Sequence, residues 1–519
     1  MPPRGGVRTA FFAHTKAEEL LSISLLLEMA ASGDPDRVAL VDGDNRITTR
    51  ELSALADGGA GLIAASGAEH VAYVGAGGVM QPLLIFAAAR AAVPYTPINY
   101  RLSAEGIQEL VERLPDPLVI VDDRYGDMIK GLGKHIMTSA QFVAAARTAE
   151  PVAEFADPDD VAIVLFTSGT TSKPKAVELS HGNLTSYITG TVEFDSAHAT
   201  DAALICVPPY HIAGVNAAIS NLYAGRKMVY LATFEAAEWV RLIAEEKVTT
   251  ATVVPTMLDR IITVLERQPT PLPSLRNLAY GGSKVGLPLV RKALELLPEV
   301  GFVNAYGLTE TSSTIAVLTP DDHRAAHGNS DDVVAKRLGS VGQPVPGIEL
   351  EIRDEDGKVL GPGETGELFV RGEQVSGRYT GIGSVLDANG WFPTRDVATL
   401  DEAGYLFITG RSDDTIIRGG ENIAPAELED VLVEHPHVHE VAVVGVPDPH
   451  WGQAIVAVVV PAAGTDPDAD ELREHVRRVL RGSRTPDRVV FRDVLPTNAT
   501  GKLLRREIIE DLRDANADK

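Results

Sequence analysis

Cysteine is almost missing from this chain: Cys206 stands alone among 519 residues. An internal disulfide framework and a Cys-rich zinc site are therefore excluded, and a reducing, cytoplasmic compartment is expected. Long hydrophobic runs are missing too. No segment approaches the roughly 20 uninterrupted apolar residues of a membrane-spanning helix. The stretch LLSISLLLEMAASG follows Lys16, Glu18 and Glu19 and contains Glu28, so it reads as an amphipathic helix and not as a secretory leader. Positive charge is in short supply: 47 Lys and Arg face 72 Asp and Glu, for a net charge of -25. Such a surface repels nucleic acid and anionic lipid, and any polyanionic ligand must be met by local donors. Internal repeats and low-complexity tracts are absent.

What is present is a long chain, 45% hydrophobic, that exceeds the span of one core and predicts two or more domains. Short β-branched runs such as HVAYVG, PLVIVDD and DVAIVLFT alternate with helical stretches such as VMQPLLIFAAARAA, which predicts parallel sheets covered by helices. After about residue 338, glycine punctuation between short alternating strands predicts hairpins in a smaller β subdomain reaching 411. From 412 to 519 the pattern changes again, to a compact α+β unit. The fold class is thus α/β: a large N-terminal domain over 1–411 of stacked mixed and parallel sheets with helices, then a small mobile C-terminal lid. GAGGVM imitates a dinucleotide fingerprint, but Met80 replaces its third glycine, and a structural strand-to-helix turn is the better reading. Residues 471–506 carry ten Arg or Lys against four Asp or Glu, read as a solvated face, with contact to a phosphorylated co-substrate as the lesser reading.

The stretch LFTSGTTSKPKAV at 165–177 packs hydroxyls, glycine and lysine together, as phosphate loops do. It is not the Gly-x4-Gly-Lys loop, because Pro174 falls five positions after Gly169. By its residues alone it is either an anion-binding loop or an ordinary flexible turn.

Four further clusters bear on that choice: PPYHIAG at 208–214, NAYGLTETSS at 304–313, GWFPTRDVATLDEAGYLFITGRSDDTIIRGGENIAPAELE at 390–429, and LPTNATGKLLRRE at 495–507. Together and in this order, the five motifs resemble those of the adenylate-forming acyl-CoA synthetases, the superfamily that includes peptide-synthetase adenylation domains and beetle luciferases. The resemblance implies an ATP-dependent acid-thiol ligase, with ATP, Mg²⁺ and CoA. A carboxylate attacks the α-phosphate to give acyl-AMP and pyrophosphate, and CoA thiol then takes the acyl group and releases AMP. It implies that Thr167, Ser168, Gly169, Thr170, Thr171 and Lys175 wrap the β- and γ-phosphates. Gly281, Gly282 and Ser283 would line the adenine and acyl carbonyl. Asn304, Ala305, Tyr306 and Gly307 would form the adenine wall, with the Tyr306 ring as a stacking face. Thr309 would donate to the α-phosphate and Glu310 would hold Mg²⁺. Asp396 would grip the ribose hydroxyls with Arg411 nearby, and His211 would stand at the mouth of the acyl pocket. Lys502 would bridge carboxylate and α-phosphate. A hinge at Asp413 would then swing the small domain so that Gly419, Gly420 and Glu421 line the thiol channel.

Two positions depart from the pattern. Arg395 stands where many relatives have glycine, and Ile417 where some have a second lysine. The acid itself is not readable, although small and apolar pocket candidates (Ile212, Val215, Asn216) suit a fatty or aromatic tail. Alternatives are a ligase loading a separate carrier protein's phosphopantetheine, or a catalytically silent nucleotide-binding relative. No nucleic-acid partner is expected, and a homodimer is left open.

Overall fold

A computed structural model describes residues 22–517 apart from 133–134, 153–155, 168–173, 481 and 499–501. The β-branched runs form two large sheets. One has nine strands, ordered from Gln343–Pro344 through Ser313–Leu318, Gly301–Leu308, Asn277–Gly281, Thr250–Val253, Ala202–Ile205, Lys227–Tyr230 and Val38–Asp42 to Asn45–Thr48. The other has eight, with His70–Val74 and Pro117–Val121 pairing in parallel near one end and Lys175–Ser180 antiparallel to Val161–Thr167. His70–Val74 and Pro117–Val121 are buried along their whole length, as parallel strands covered on both faces must be.

The helices Ile23–Gly33, Thr49–Ser66, Met80–Arg90 and Ile212–Tyr223 share one core with residues of both sheets, among them Leu40, Ile205, Tyr73 and Ile163. They form the filling between the two layers. The 23–33 helix is the amphipathic stretch expected from sequence, with Ile23, Leu26 and Leu27 buried. GAGGVM is a structural turn: it links the strand His70–Val74 to the helix Met80–Arg90, and Asp122 accepts from the Ala76 N–H at 3.0 Å. The helices Ala236–Glu245, Pro255–Arg267 and Leu287–Leu296 close the outer face of the nine-stranded sheet around Trp239.

The hairpin expected after residue 338 is there: Glu349–Arg353 pairs antiparallel with Thr365–Arg371, and the sheet continues through Phe392–Leu400 to Leu406–Arg411. A turn at Ser412–Asp414 follows. Beyond it lie the ribbon Ile416–Arg418 with Glu421–Ile423, a three-stranded sheet (Val438–Asp448, Gly452–Pro461, Arg488–Phe491) and the helices Pro425–Val433, Ala469–Val479 and Arg505–Ala517. The basic stretch is largely neutralised locally. Arg473, Arg477, Arg484, Arg492, Arg505 and Arg506 all pair with carboxylates of the same C-terminal segment. The solvated-face reading of 471–506 therefore prevails over co-substrate contact for these arginines. No helix among the described residues is long and apolar enough to cross a membrane.

Candidate active site

The strand Gly301–Leu308 carries Asn304, Ala305, Tyr306 and Gly307 and runs into a tight turn at Thr309–Thr311. Thr311, fully buried, makes that turn: its hydroxyl accepts from the Leu308 N–H at 3.0 Å and lies 3.1 Å from the Leu308 carbonyl and 2.9 Å from that of Ser313. Thr309 and Glu310 are left half-buried at the end of the strand. The neighbouring strand ends at Gly281, in register with Ala305. A Cβ on Gly281 would lie 2.1 Å from the Ala305 carbonyl oxygen, so only glycine lets the two strands close here. Gly282 and Ser283 follow as a bend, Gly282 exposed and Ser283 half-buried.

Asp396 and Arg411 are directly opposed across two antiparallel strands, and Arg411 Nη1 stands 3.2 Å from Asp396 Oδ1. The second carboxylate oxygen of Asp396 accepts from the Tyr306 hydroxyl, which ties this four-stranded sheet to the nine-stranded one. The Asp396 N–H donates to Thr394 Oγ1 at 3.1 Å, and that hydroxyl donates to the Leu368 carbonyl at 2.8 Å. Burial raises the pKa of Asp396 above the ordinary carboxylate value, against the opposing pull of Arg411 and of the Tyr306 hydrogen bond. Burial and the neighbouring Asp396 drive the Tyr306 phenol strongly upward, so the proton stays on the tyrosine. Arg395 adopts φ +65°, the left-handed region that favours glycine.

The eight-stranded sheet contributes Thr167 and Lys175, paired across Val161–Thr167 and Lys175–Ser180. Ser168, Gly169, Thr170 and Thr171 lie outside the described residues. Lys175 Nζ stands 5.4 Å from the centre of the Tyr379 ring, and the Tyr379 hydroxyl donates to Glu310 Oε1 at 2.8 Å. Tyr379 thus couples the lysine of one motif to the acid of another. Sequence reading missed it, because its place follows from the short pairing of Arg378–Tyr379 with Lys175–Ser180, some 200 residues away in the chain.

Lys502 arrives from the far end of the chain. Its N–H donates to Asn498 Oδ1 at 2.9 Å, and the Asn498 N–H donates to its carbonyl at 2.9 Å, so a small loop fixes its backbone. Its side chain keeps an exposed surface yet stands in a crevice where desolvation and Arg411 pull its pKa below the ordinary 10.5, while Asp396, Asp414 and Glu310 act in the opposite sense. Lys502, Glu310, Asp396, Arg411 and Tyr306 are thereby brought together from distant parts of the chain. The approach is supported by ion pairs between the two halves, Lys284–Asp430 at 2.6 Å and Arg291–Glu434 at 3.1 Å.

His211 occupies the N-cap position of the helix Ile212–Tyr223 without a side-chain capping bond, its ring 4.6 Å from that of Tyr210. Desolvation lowers its pKa to about 4, with Arg101 adding to the effect, so it is neutral at pH 7. Asp413 is exposed in the Ser412–Asp414 turn, and the adjacent Asp414 pairs with Arg505 at 3.4 Å. Gly419, Gly420 and Glu421 make their contacts inside the C-terminal segment. Gly419 donates to the Trp451 carbonyl at 2.8 Å, and Glu421 pairs with Arg484.

A cation fits the donor set. Glu310 offers a hard carboxylate oriented by Tyr379, and Mg²⁺ needs only one or two such groups besides phosphate oxygens and water. Among the described residues no cluster of three or more His, Cys, Asp or Glu could hold a metal by protein ligands alone.

Comparison with known proteins identifies the family of the chain. The AMP-binding enzyme family matches residues 27–380, and the AMP-binding enzyme C-terminal domain matches 427–502. The chain is 34% identical over 488 residues to feruloyl-CoA synthase from Amycolatopsis sp, covering 91% of this chain and 96% of that one. It is 32% identical over 455 residues to a fatty acid–[acyl-carrier-protein] ligase from Streptomyces coeruleorubidus, covering 85% and 86%. The fold superimposes with TM-score 0.80 and 29% identity on o-succinylbenzoate CoA synthetase from Bacillus subtilis bound to its acyl-adenylate intermediate, covering 93% of this chain and 97% of that one. The same synthetase has also been solved with ATP and a magnesium ion. The chain belongs to the AMP-binding enzyme family and is an adenylate-forming ligase of the acyl-CoA synthetase type, using ATP, Mg²⁺ and CoA.

Proposed function

We propose that this ligase activates a compact aromatic or fatty acid and hands the acyl group to CoA, with the site residues in the following roles. The observation that carries the assignment is the network in which Tyr306 and Arg411 hold Asp396 while Tyr379 holds Glu310, with Lys502 close enough for its charge to feel both carboxylates. Two anions, the attacking carboxylate and the α-phosphate, repel each other at contact distance. At 4 Å the repulsion is about 4 kcal/mol at an effective dielectric of 20, so a cation between them removes a large part of the barrier to approach. Lys502 is that cation. Thr309 donates to the α-phosphate, and Asp396 accepts from the ribose hydroxyls with Arg411 beside it. Tyr306 lays its ring along adenine, flanked by Gly281, Gly282, Ser283, Asn304, Ala305 and Gly307. Lys175 and Thr167, with Ser168, Gly169, Thr170 and Thr171, hold the β- and γ-phosphates. Glu310 would hold Mg²⁺, which when bound would supply charge to neutralise the leaving pyrophosphate. His211, being neutral, admits the carboxylate without capturing it as an ion pair.

The two functional domains are 1–411 and 412–519, with Asp413 as the hinge. After adenylation the small domain turns, withdraws Lys502 and presents Gly419, Gly420 and Glu421 to the incoming thiol. The likeness to a carrier-protein ligase supports a second reading, in which the acceptor is a phosphopantetheine on a separate protein. Pyrophosphate release across a panel of acids, with and without CoA, tests the proposal. AMP production that rises with CoA supports it, adenylate that passes only to a carrier protein favours the second reading, and no turnover of any acid overturns both.

A further inference from the structure

Beside the turn that carries Thr309, two buried polar atoms have no hydrogen-bond partner among the described residues: Asn216 Oδ1 and Ser312 Oγ. Asn216 is 3% exposed and Ser312 0%. They are neighbours, because the Asn216 amide donates to the Ser312 backbone carbonyl. Several backbone groups around them are engaged elsewhere. Gln374 Nε2 bonds the carbonyls of Thr311 and Thr314, each at 2.9 Å, and the Ser312 N–H donates to Thr309 O at 3.2 Å. Ser312 and Ser313 sit at φ +53° and +109°, conformations that non-glycine residues avoid. A strained backbone that holds a serine hydroxyl unpaired beside an unpaired amide oxygen departs from the rule that buried polar groups find partners.

Resting on the function proposed above, we infer that Asn216 and Ser312 recognise a hydroxyl on the acyl tail, so that the preferred acid is a compact hydroxy acid. One hydroxyl completes both groups, donating to Asn216 Oδ1 and accepting from Ser312 Oγ. The position limits the tail. Ser312 lies three residues beyond Thr309 through a tight turn that rises about 2 Å per residue, which places it about 6 Å from the phosphate-facing threonine. Asn216 lies five residues beyond His211 along a helix, about 7.5 Å of rise. A hydroxyl on an aromatic ring or on a short chain reaches such a point, whereas the middle of a long alkyl chain offers nothing there.

The test measures kcat/KM for AMP formation with matched acids: hydroxyaryl acids against the same acids with hydrogen or methyl in place of the hydroxyl, and short hydroxyalkanoates against alkanoates. The wild-type enzyme should favour the hydroxylated member of at least one pair about tenfold or more, because a site built around a hydroxyl leaves both partners unpaired with the analogue. Ser312→Ala should narrow that ratio by about threefold or more, an alanine tolerating the left-handed backbone about as well as serine does. Equal turnover of both members in every pair, as when a resident water already joins Asn216 to Ser312, overturns the inference and leaves the ligase reading standing. A preference unchanged in Ser312→Ala also overturns it. AMP formation from none of these acids, nor from a wider panel, overturns the ligase reading and this inference with it. The wild-type ratios decide the matter even if the variant does not fold.

Discussion

At the scale of single residues, Lys502 and Arg395 make opposite points about sequence. Lys502 is a solvated lysine by composition, and only its position against Asp396 and Glu310 gives it a task. Lys502→Ala should abolish adenylate formation while leaving thiolysis of supplied acyl-adenylate largely intact; equal loss of both half-reactions would sink the role assigned to it. Arg395 is a departure whose consequence turns out to be local. Its left-handed backbone costs about 1–2 kcal/mol for an L-residue, but glycine there would also lose more chain entropy on folding, about 0.5–1 kcal/mol. Arg395→Gly should therefore change stability by less than about 1 kcal/mol in chemical denaturation, and Arg395→Val, β-branched at positive φ, should cost about 2 kcal/mol or more. The contact Arg395 makes with Glu367, at 4.0 Å and with the arginine mostly exposed, adds little to either balance.

At the scale of elements, the ribbon from Ile416 to Ile423 turns through Gly419 and Gly420 at φ +59° and +83°. Positive φ at both central residues is the turn that matches the twist of a two-residue hairpin, and Gly-Gly meets it without strain. The glycines thus have a structural reason to be there besides any contact with a thiol. The two reasons can be separated by experiment. Nothing lies within 4 Å of where a Gly420 Cβ would stand, so a side chain there meets open space but strained backbone. Gly420→Asn tolerates the left-handed conformation and should leave thioester formation within about threefold of wild type. Gly420→Leu should lower it by about tenfold or more while adenylation changes little. If both variants lose thioesterification equally, backbone geometry and not occlusion is what matters at this turn. Ile417 projects from the same ribbon, 57% exposed, with its N–H donating to Gln453 Oε1 at 2.6 Å; the pairing holds the ribbon with no lysine needed.

At the scale of the whole molecule, the two halves meet through exposed ion pairs, Lys284–Asp430 and Arg291–Glu434. Each is worth under about 1 kcal/mol, which suits a docking that must be reversible. Reversing both cations (Lys284→Glu with Arg291→Glu) should slow adenylation about two- to tenfold relative to thioester formation, an effect that weakens as added salt screens the pairs. Acid sensitivity is a second property of the whole. Burial holds His70, His181 and His211 at about 4, against 6.5 in the unfolded chain. Between those values the unfolded chain binds protons that the folded one refuses, so stability falls as pH drops from about 6.5 towards 4, by about 1.4 kcal/mol per pH unit for each histidine. Denaturation midpoints measured across this window should show a slope equivalent to two to three protons, and a flat profile would contradict the neutral burial of these rings. The sequence by itself determined the alternation of strands and helices, the hairpins after residue 338 and the order of the five motifs, because periodicity and glycine placement are local properties. The tertiary structure alone decided that Tyr379 joins Lys175 to Glu310 and that Tyr306 donates to Asp396. Those contacts bring together residues tens to hundreds of positions apart, and no local pattern carries a pairing that exists only once the sheets have closed.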